Sequence, residues 1–107
     1  MKKGDIILVP FPFTDLSGLK NRPALVLLAS EFDVTVAFIS TQIKGSSQFD
    51  LLVHPTTDNG LKKDSIVRVS KIATLDKEII LGRLGRVSTD DLTSIDLKLI
   101  QAFAIKT

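Results

Sequence analysis

The chain has 107 residues, with 14 Lys and Arg against 12 Asp and Glu, one His, no Cys and a formal net charge of +2. That length predicts one domain spanning residues 1–107, and the lack of cysteine excludes disulfides, thiolate metal sites and a cysteine nucleophile. No apolar run approaches the length of a membrane span, and residues 6–9, behind Lys2 and Lys3, are too short for a signal peptide before Pro10, so a cytoplasmic protein is expected.

Residues 6–9 (IILV) form a continuous apolar run, as in a strand buried on both faces. Pro10 and Pro12 lack a backbone donor, so the strand must leave its ladder or run along an edge there. Alternation puts Ile7, Val9, Phe11 and Phe13 on one face. Residues 14–21 (TDLSGLKN) predict a loop, and Arg22-Pro23 returns the chain, with Pro23 favouring an extended entry. Residues 24–29 (ALVLLA) and 34–39 (VTVAFI) predict strands. Residues 40–48 are polar and broken at Gly45, and 49–53 make a short strand. Residues 54–63 form a loop with Pro55 and an Asn59-Gly60 turn signal.

Residues 65–72 (SIVRVSKI) alternate, which places Ile66, Arg68, Ser70 and Ile72 on one face and Val67, Val69 and Lys71 on the other. Residues 79–84 fit either a last strand or a short helical turn. Ser88 followed by Asp91 marks a helix N-cap. Leu92, Ile95, Leu99 and Ala102 or Phe103 recur at helical spacing, predicting an amphipathic helix over 89–104. Five or six short strands followed by one helix predict a small, strongly bent barrel or sandwich, not a doubly wound sheet.

The chemistry is narrowed by what is missing. One histidine and no HExxH, P-loop or GxGxxG argue against a metal cluster and against nucleotide cofactors, and no cofactor is expected. His54, beside Pro55, reads as a surface loop residue without an evident partner. Asp90 and Asp91 sit where a helix N-terminus favours negative charge. What remains is Arg22 at the mouth of the second strand, Ser40, Thr41 and Gln42 after the third, and Arg68 and Ser70 on a later one.

Arginine stays protonated, so it is no general base. It can clamp a phosphate and stabilise charge developing there, while hydroxyls and an amide position the same group. Such a set fits metal-independent phosphodiester cleavage with an RNA 2′-OH as nucleophile. It equally fits Arg22 closing a strand end and Arg68 in a surface ion pair.

Four ordered blocks carry a family resemblance: GDIILV with RPALV (4–9 and 22–26), FISTQI (38–43), GLKKDSIV (60–67) and IATLDK (72–77). Together they resemble the MazF/PemK toxins of type II toxin–antitoxin systems. The resemblance implies a mainly β fold, an SH3-like small barrel of five to seven mostly antiparallel strands with a C-terminal α-helix, acting as a homodimer. It implies a metal-independent, sequence-specific endoribonuclease that cleaves single-stranded RNA to 2′,3′-cyclic phosphate and 5′-hydroxyl ends and arrests growth. It also implies a cognate antitoxin, with operator DNA bound only in complex with that antitoxin.

The family's catalytic arginine falls on Arg22, and its catalytic threonine falls on Ser40, with Thr41 as the neighbouring alternative. In the PemK branch a different arginine and an aspartate two residues later are implicated; Arg68 keeps the first and Ser70 replaces the second. Because Pro10 and Pro12 are expected to end ladder pairing, residues 14–21 are expected to form a mobile gate over the RNA groove that an antitoxin would displace. The resemblance points to Thr14, Lys20, Asn21, Gln42, Lys44, Gln48, Arg68 and Ser70 as RNA contacts. Phe11 and Phe13 either stack on bases or fill the core. Two other readings stay open: a gyrase-poisoning toxin on the same fold, like CcdB, and a catalytically silent antitoxin-binding module.

Overall fold

The computed structural model describes residues 1–11, 20–45 and 47–107, with only the backbone given for Phe11. Pro12, Phe13, Thr14 and the rest of the expected gate up to Leu19 lie outside the described residues, as does the Phe11 side chain.

Among the described residues, six strands form one antiparallel sheet: β1 (Asp5–Phe11), β2 (Lys20–Ala29), β3 (Asp33–Ser40), β4 (Asp50–Val53), β5 (Ser65–Asp76) and β6 (Gly82–Arg86). Their order is β4-β5-β3-β2-β1-β6. A 3₁₀ turn over Lys77–Ile79 precedes β6, so residues 79–84 hold the end of a helical turn and the start of a strand. Lys20 and Asn21, expected in the loop, open β2. Register shifts in the β1–β6, β2–β3 and β3–β5 ladders bend the sheet into an open half-barrel with β4 and β6 at its edges.

The proline expectation holds in one respect and is corrected in another. Pairing does not stop at Pro10: the β1–β2 ladder runs on through Pro10–Asn21 to Phe11–Lys20. Pro10 is tolerated because of the direction in which it lacks a donor. The Leu8 carbonyl accepts from Leu81 N–H at 2.9 Å on the β6 side, and alternation turns Pro10 the same way. There the β6 pairing has already ended at Leu8, so β1 is an edge.

Alternation sorts the apolar residues onto two faces. Ile6, Leu25, Ala37, Ile39, Val67 and Val69 pack with Ile95 of α1 (Thr89–Ala102). Ile7, Val9, Ala24, Val26, Val34 and Val36 form a second cluster on the opposite face. The helix begins where the sequence predicts, with Ser88 Oγ accepting from Asp91 N–H at 3.0 Å. It ends two residues early, at Ala102.

The 54–64 loop is knotted by Asn59, which is 1% exposed. Its Oδ1 accepts from Thr56 N–H and Leu61 N–H, each at 3.0 Å, and its Nδ2 donates to the His54 carbonyl at 2.8 Å. Gly60 has φ +70, and a Cβ at Gly60 or Gly85 would collide with the backbone of Leu84 or Asp58. These two positions let the loop close on β6. His54 does have a partner, since its Nδ1 lies 2.8 Å from Asp64 Oδ1, and both side chains are exposed.

Asp5, 4% exposed, fastens the N-terminus to β6. Lys2 N–H donates to Oδ2 at 2.9 Å, and Arg86 Nη1 donates to Oδ1 at 3.0 Å, with Arg83 Nε 3.3 Å away. Burial pushes this carboxyl's pKa up, but the Lys2 N–H and the Arg86 and Arg83 guanidinium groups outweigh it and hold it below the usual carboxylate value. A depressed folded pKa stabilises the fold above the unfolded-state pKa, and that stability is lost as pH falls through the folded value. Asp5→Asn is therefore expected to cost about 1–3 kcal/mol at pH 7. Denaturant melts should show the gap beginning to close below about pH 4, where the unfolded chain's carboxyl takes up a proton, and closing as pH falls through the depressed folded value.

Candidate active site

Arg22 sits near the start of β2, and Ser40 ends β3. The β2–β3 ladder's last pair is Ala24–Phe38, and its register continued by two residues sets Arg22 beside Ser40. The cause of the early stop is Pro23. Leu8, opposite Pro23 in β1, turns its polar groups toward β6, so Pro23 turns its own toward β3. Lacking an N–H, it cannot donate to Ile39, and the strands part. Between them opens a cleft of about 590 Å³ lined by Arg22, Phe38, Ile39, Ser40, Thr41, Gln42, Arg68 and Lys71.

Arg22 and Phe38 are half-buried, and Lys20 is exposed further out on the same face of β2. Ser40 Oγ accepts from Gln42 N–H at 3.0 Å, which leaves the hydroxyl hydrogen to point elsewhere. Thr41, exposed, lies beyond the β3 ladder. Arg68, opposite Phe38 in the β3–β5 register, donates from Nη2 to the Gln42 carbonyl at 2.8 Å and from Nη1 to Asp50 Oδ2 at 3.2 Å.

The structure thus gathers Arg22, Ser40, Thr41, Gln42 and Arg68 in one cleft. Lys20, Asn21, Lys44, Gln48 and Ser70 are exposed but do not line it, and Thr14 lies outside the described residues. Gln48 faces the helix side through its carbonyl, which accepts from Lys98 Nζ at 2.6 Å.

Three lining residues lie outside the expected site. Phe38 and Ile39 belong to a predicted strand, and alternation places Lys71 on the face opposite Arg68. In the β3–β5 ladder Ala37 pairs with Ile72 but Phe38 with Arg68, so residues 69–71 bulge from β5. The bulge turns Lys71 into the cleft and sends Ile72 to the helix-covered face with Val67 and Val69. The sign was present in the sequence: core residues 67, 69 and 72 step by two and then by three.

The site is thus an open cleft at one end of a bent antiparallel sheet, built from cations and hydroxyls suited to an anionic ligand. The sequence matches, over residues 2–103, the family described as PemK-like, MazF-like toxin of type II toxin-antitoxin systems, and the chain belongs to that family. It is 27% identical over 85 residues to a probable endoribonuclease MazF of Mycolicibacterium smegmatis, covering 76% of this chain and 78% of that protein. Among solved structures, the Mycobacterium tuberculosis toxin MazF-mt6 superposes with a TM-score of 0.79 at 20% identity, over 96% of this chain and 99% of that one. A mycobacterial endoribonuclease in complex with its cognate antitoxin superposes with a TM-score of 0.77 at 19% identity, over 100% of this chain and 98% of that one. Both share this bent sheet with its C-terminal helix.

Proposed function

We propose that the chain is a MazF-like endoribonuclease toxin that cleaves single-stranded RNA at the Arg22–Ser40 cleft. The observation that carries this reading is that Arg22 and the oriented Ser40 hydroxyl line one cleft where the β2–β3 ladder opens. In the reaction an RNA 2′-hydroxyl attacks the adjacent phosphorus and gives up its proton to water, the P–O5′ bond breaks, and the leaving 5′-oxygen takes up a proton from water, giving a 2′,3′-cyclic phosphate and a 5′-hydroxyl. Arg22 stabilises the negative charge that builds on the phosphorane oxygens and stays protonated throughout. Ser40 donates its hydroxyl hydrogen to a phosphate oxygen or the 2′-oxygen.

Lys71 in the cleft and Lys20 outside it hold the backbone of the strand, and Gln42 in the cleft and the exposed Asn21 and Lys44 outside it read bases. The protein works in the cytoplasm as a homodimer, since two-fold pairing lengthens a groove that one small chain makes short. A cognate antitoxin neutralises it by covering the cleft, and the pair together binds operator DNA.

Incubation with a long single-stranded transcript in EDTA tests the reading. Discrete cuts bearing cyclic phosphate ends are expected; intact RNA, or gyrase-dependent DNA breaks in its place, would sink it. Lys71→Ala should raise KM with kcat little changed. It should also flatten the slope of log KM against log salt by about 0.7, the share of one phosphate contact on a single strand. An unchanged slope would remove Lys71 from the RNA path.

A further inference from the structure

We infer that Arg68 and Asp50 act as a positioning clamp, holding Gln42 just after β3 and Ser47 just before β4 so that the Ser40 hydroxyl is fixed in the cleft. The inference rests on the cleavage reading above and assigns Arg68 a role other than contact with RNA.

A continuous run of hydrogen bonds supports it. Ser47 N–H donates to Asp50 Oδ2 at 2.7 Å, where the chain enters β4. The same oxygen takes Arg68 Nη1 at 3.2 Å. Arg68 Nη2 then donates to the Gln42 carbonyl at 2.8 Å, where the chain leaves β3. Gln42 N–H, in turn, donates to Ser40 Oγ at 3.0 Å. One guanidinium, through Asp50, therefore ties Gln42 to Ser47, and the last link of the run ends on the Ser40 hydroxyl.

Arg68 lines the cleft, but its fork is bound within the protein. The Arg68 side chain is 16% exposed and that of Asp50 is 2% exposed, and the two residues are paired across β4 and β5. Two of the fork's nitrogens are already committed within the protein. A planar fork can bridge two acceptors at once, whereas a lysine ammonium at that position would meet them as a single point charge. Arg68 is thus a structural bridge whose geometry the substrate inherits through Ser40.

The test uses Arg68→Ala, Asp50→Ala, the milder Asp50→Asn and the double variant Arg68→Ala/Asp50→Ala. Readouts are kcat and KM on a long single-stranded transcript, and amide hydrogen exchange in the absence of RNA. Arg68→Ala and Asp50→Ala should each lower kcat by about 10- to 100-fold, the scale of a misplaced catalytic group. KM and its salt slope should stay near the parent's, and the double variant should be no slower than the worse single one. The amides of Gln42 and Ser47 should exchange faster in all variants that remain folded. Asp50→Asn, which preserves shape and one acceptor, should fall between the parent and Asp50→Ala.

A chain in which Asp50→Ala or Asp50→Asn cleaves like the parent, while Arg68→Ala loses affinity and salt dependence, would overturn the clamp in favour of direct phosphate contact. Unchanged exchange at residues 42 and 47 would overturn it too. Should the parent leave RNA intact while the variants still speed exchange at residues 42 and 47, the clamp stands and the cleavage reading falls.

Discussion

Arg22→Ala should cut the rate of RNA cleavage by about 10²–10³-fold, the scale seen when one preorganised donor to a developing oxyanion is removed. The argument rests on where the guanidinium is held. Arg22 pairs with Val9 in β1, so one side of its backbone is fixed by a full ladder. Its other side faces the place where pairing to β3 has stopped, and its half-buried side chain lines the cleft. There the solvent is partly excluded and a fixed positive charge counts for more than in water. Because phosphorane charge exceeds that of the ground-state diester, the loss should fall mainly on kcat and less on KM.

Arg22→Lys keeps the charge but loses the fork that matches two phosphate oxygens, so an intermediate rate is expected. The measurement is single-turnover cleavage of a long transcript in EDTA, with thermal melts confirming that both variants fold. Equal cleavage by Arg22→Ala and the parent would dismiss Arg22 from the chemistry.

Much of this arrangement was legible before any coordinates. The apolar runs of β1, β2, β3 and β5 and the Ser88 cap express local physics, and local physics is what a sequence carries openly. The RP and STQ blocks pointed to a site only through the family resemblance, since residue type alone fits Arg22 closing a strand end equally well. What stayed hidden depends on how strands meet. That Pro23 ends a ladder follows only once Leu8 is known to lie opposite it. That Lys71 joins the cleft follows only from the three-residue slip between β3 and β5. That His54 has Asp64 for company follows from the Asn59 knot, which folds residues 54–64 back on themselves. The change in step from 67, 69 to 72 was the one such feature with a trace in the sequence.

The same distinction favours Ser40 over Thr41 as the hydroxyl to test. Both carry hydroxyls and both line the cleft, so residue type cannot separate them. Their backbones can. Ser40 is the last residue of β3, paired with Ile66 of β5, and its Oγ is oriented by Gln42 N–H. Thr41 is exposed and lies past the ladder, so its hydroxyl has no comparable anchor among the described residues. Alternation from Phe38 also keeps Ser40 on the face that Arg22 shares.

Ser40→Ala should therefore slow cleavage by about 10- to 100-fold, less than Arg22→Ala because a neutral donor stabilises an oxyanion less than a charged one. Thr41→Ala should leave the rate near the parent's. Ser40→Thr should cleave at least as fast as the parent, because a β-branched side chain at a strand end has fewer rotamers to lose. The three variants compared on one transcript discriminate cleanly: a loss confined to Thr41→Ala would move the catalytic hydroxyl one residue along the chain. Losses in both alanine variants, with Ser40→Thr inactive, would mean that the turn's shape matters more than either hydroxyl.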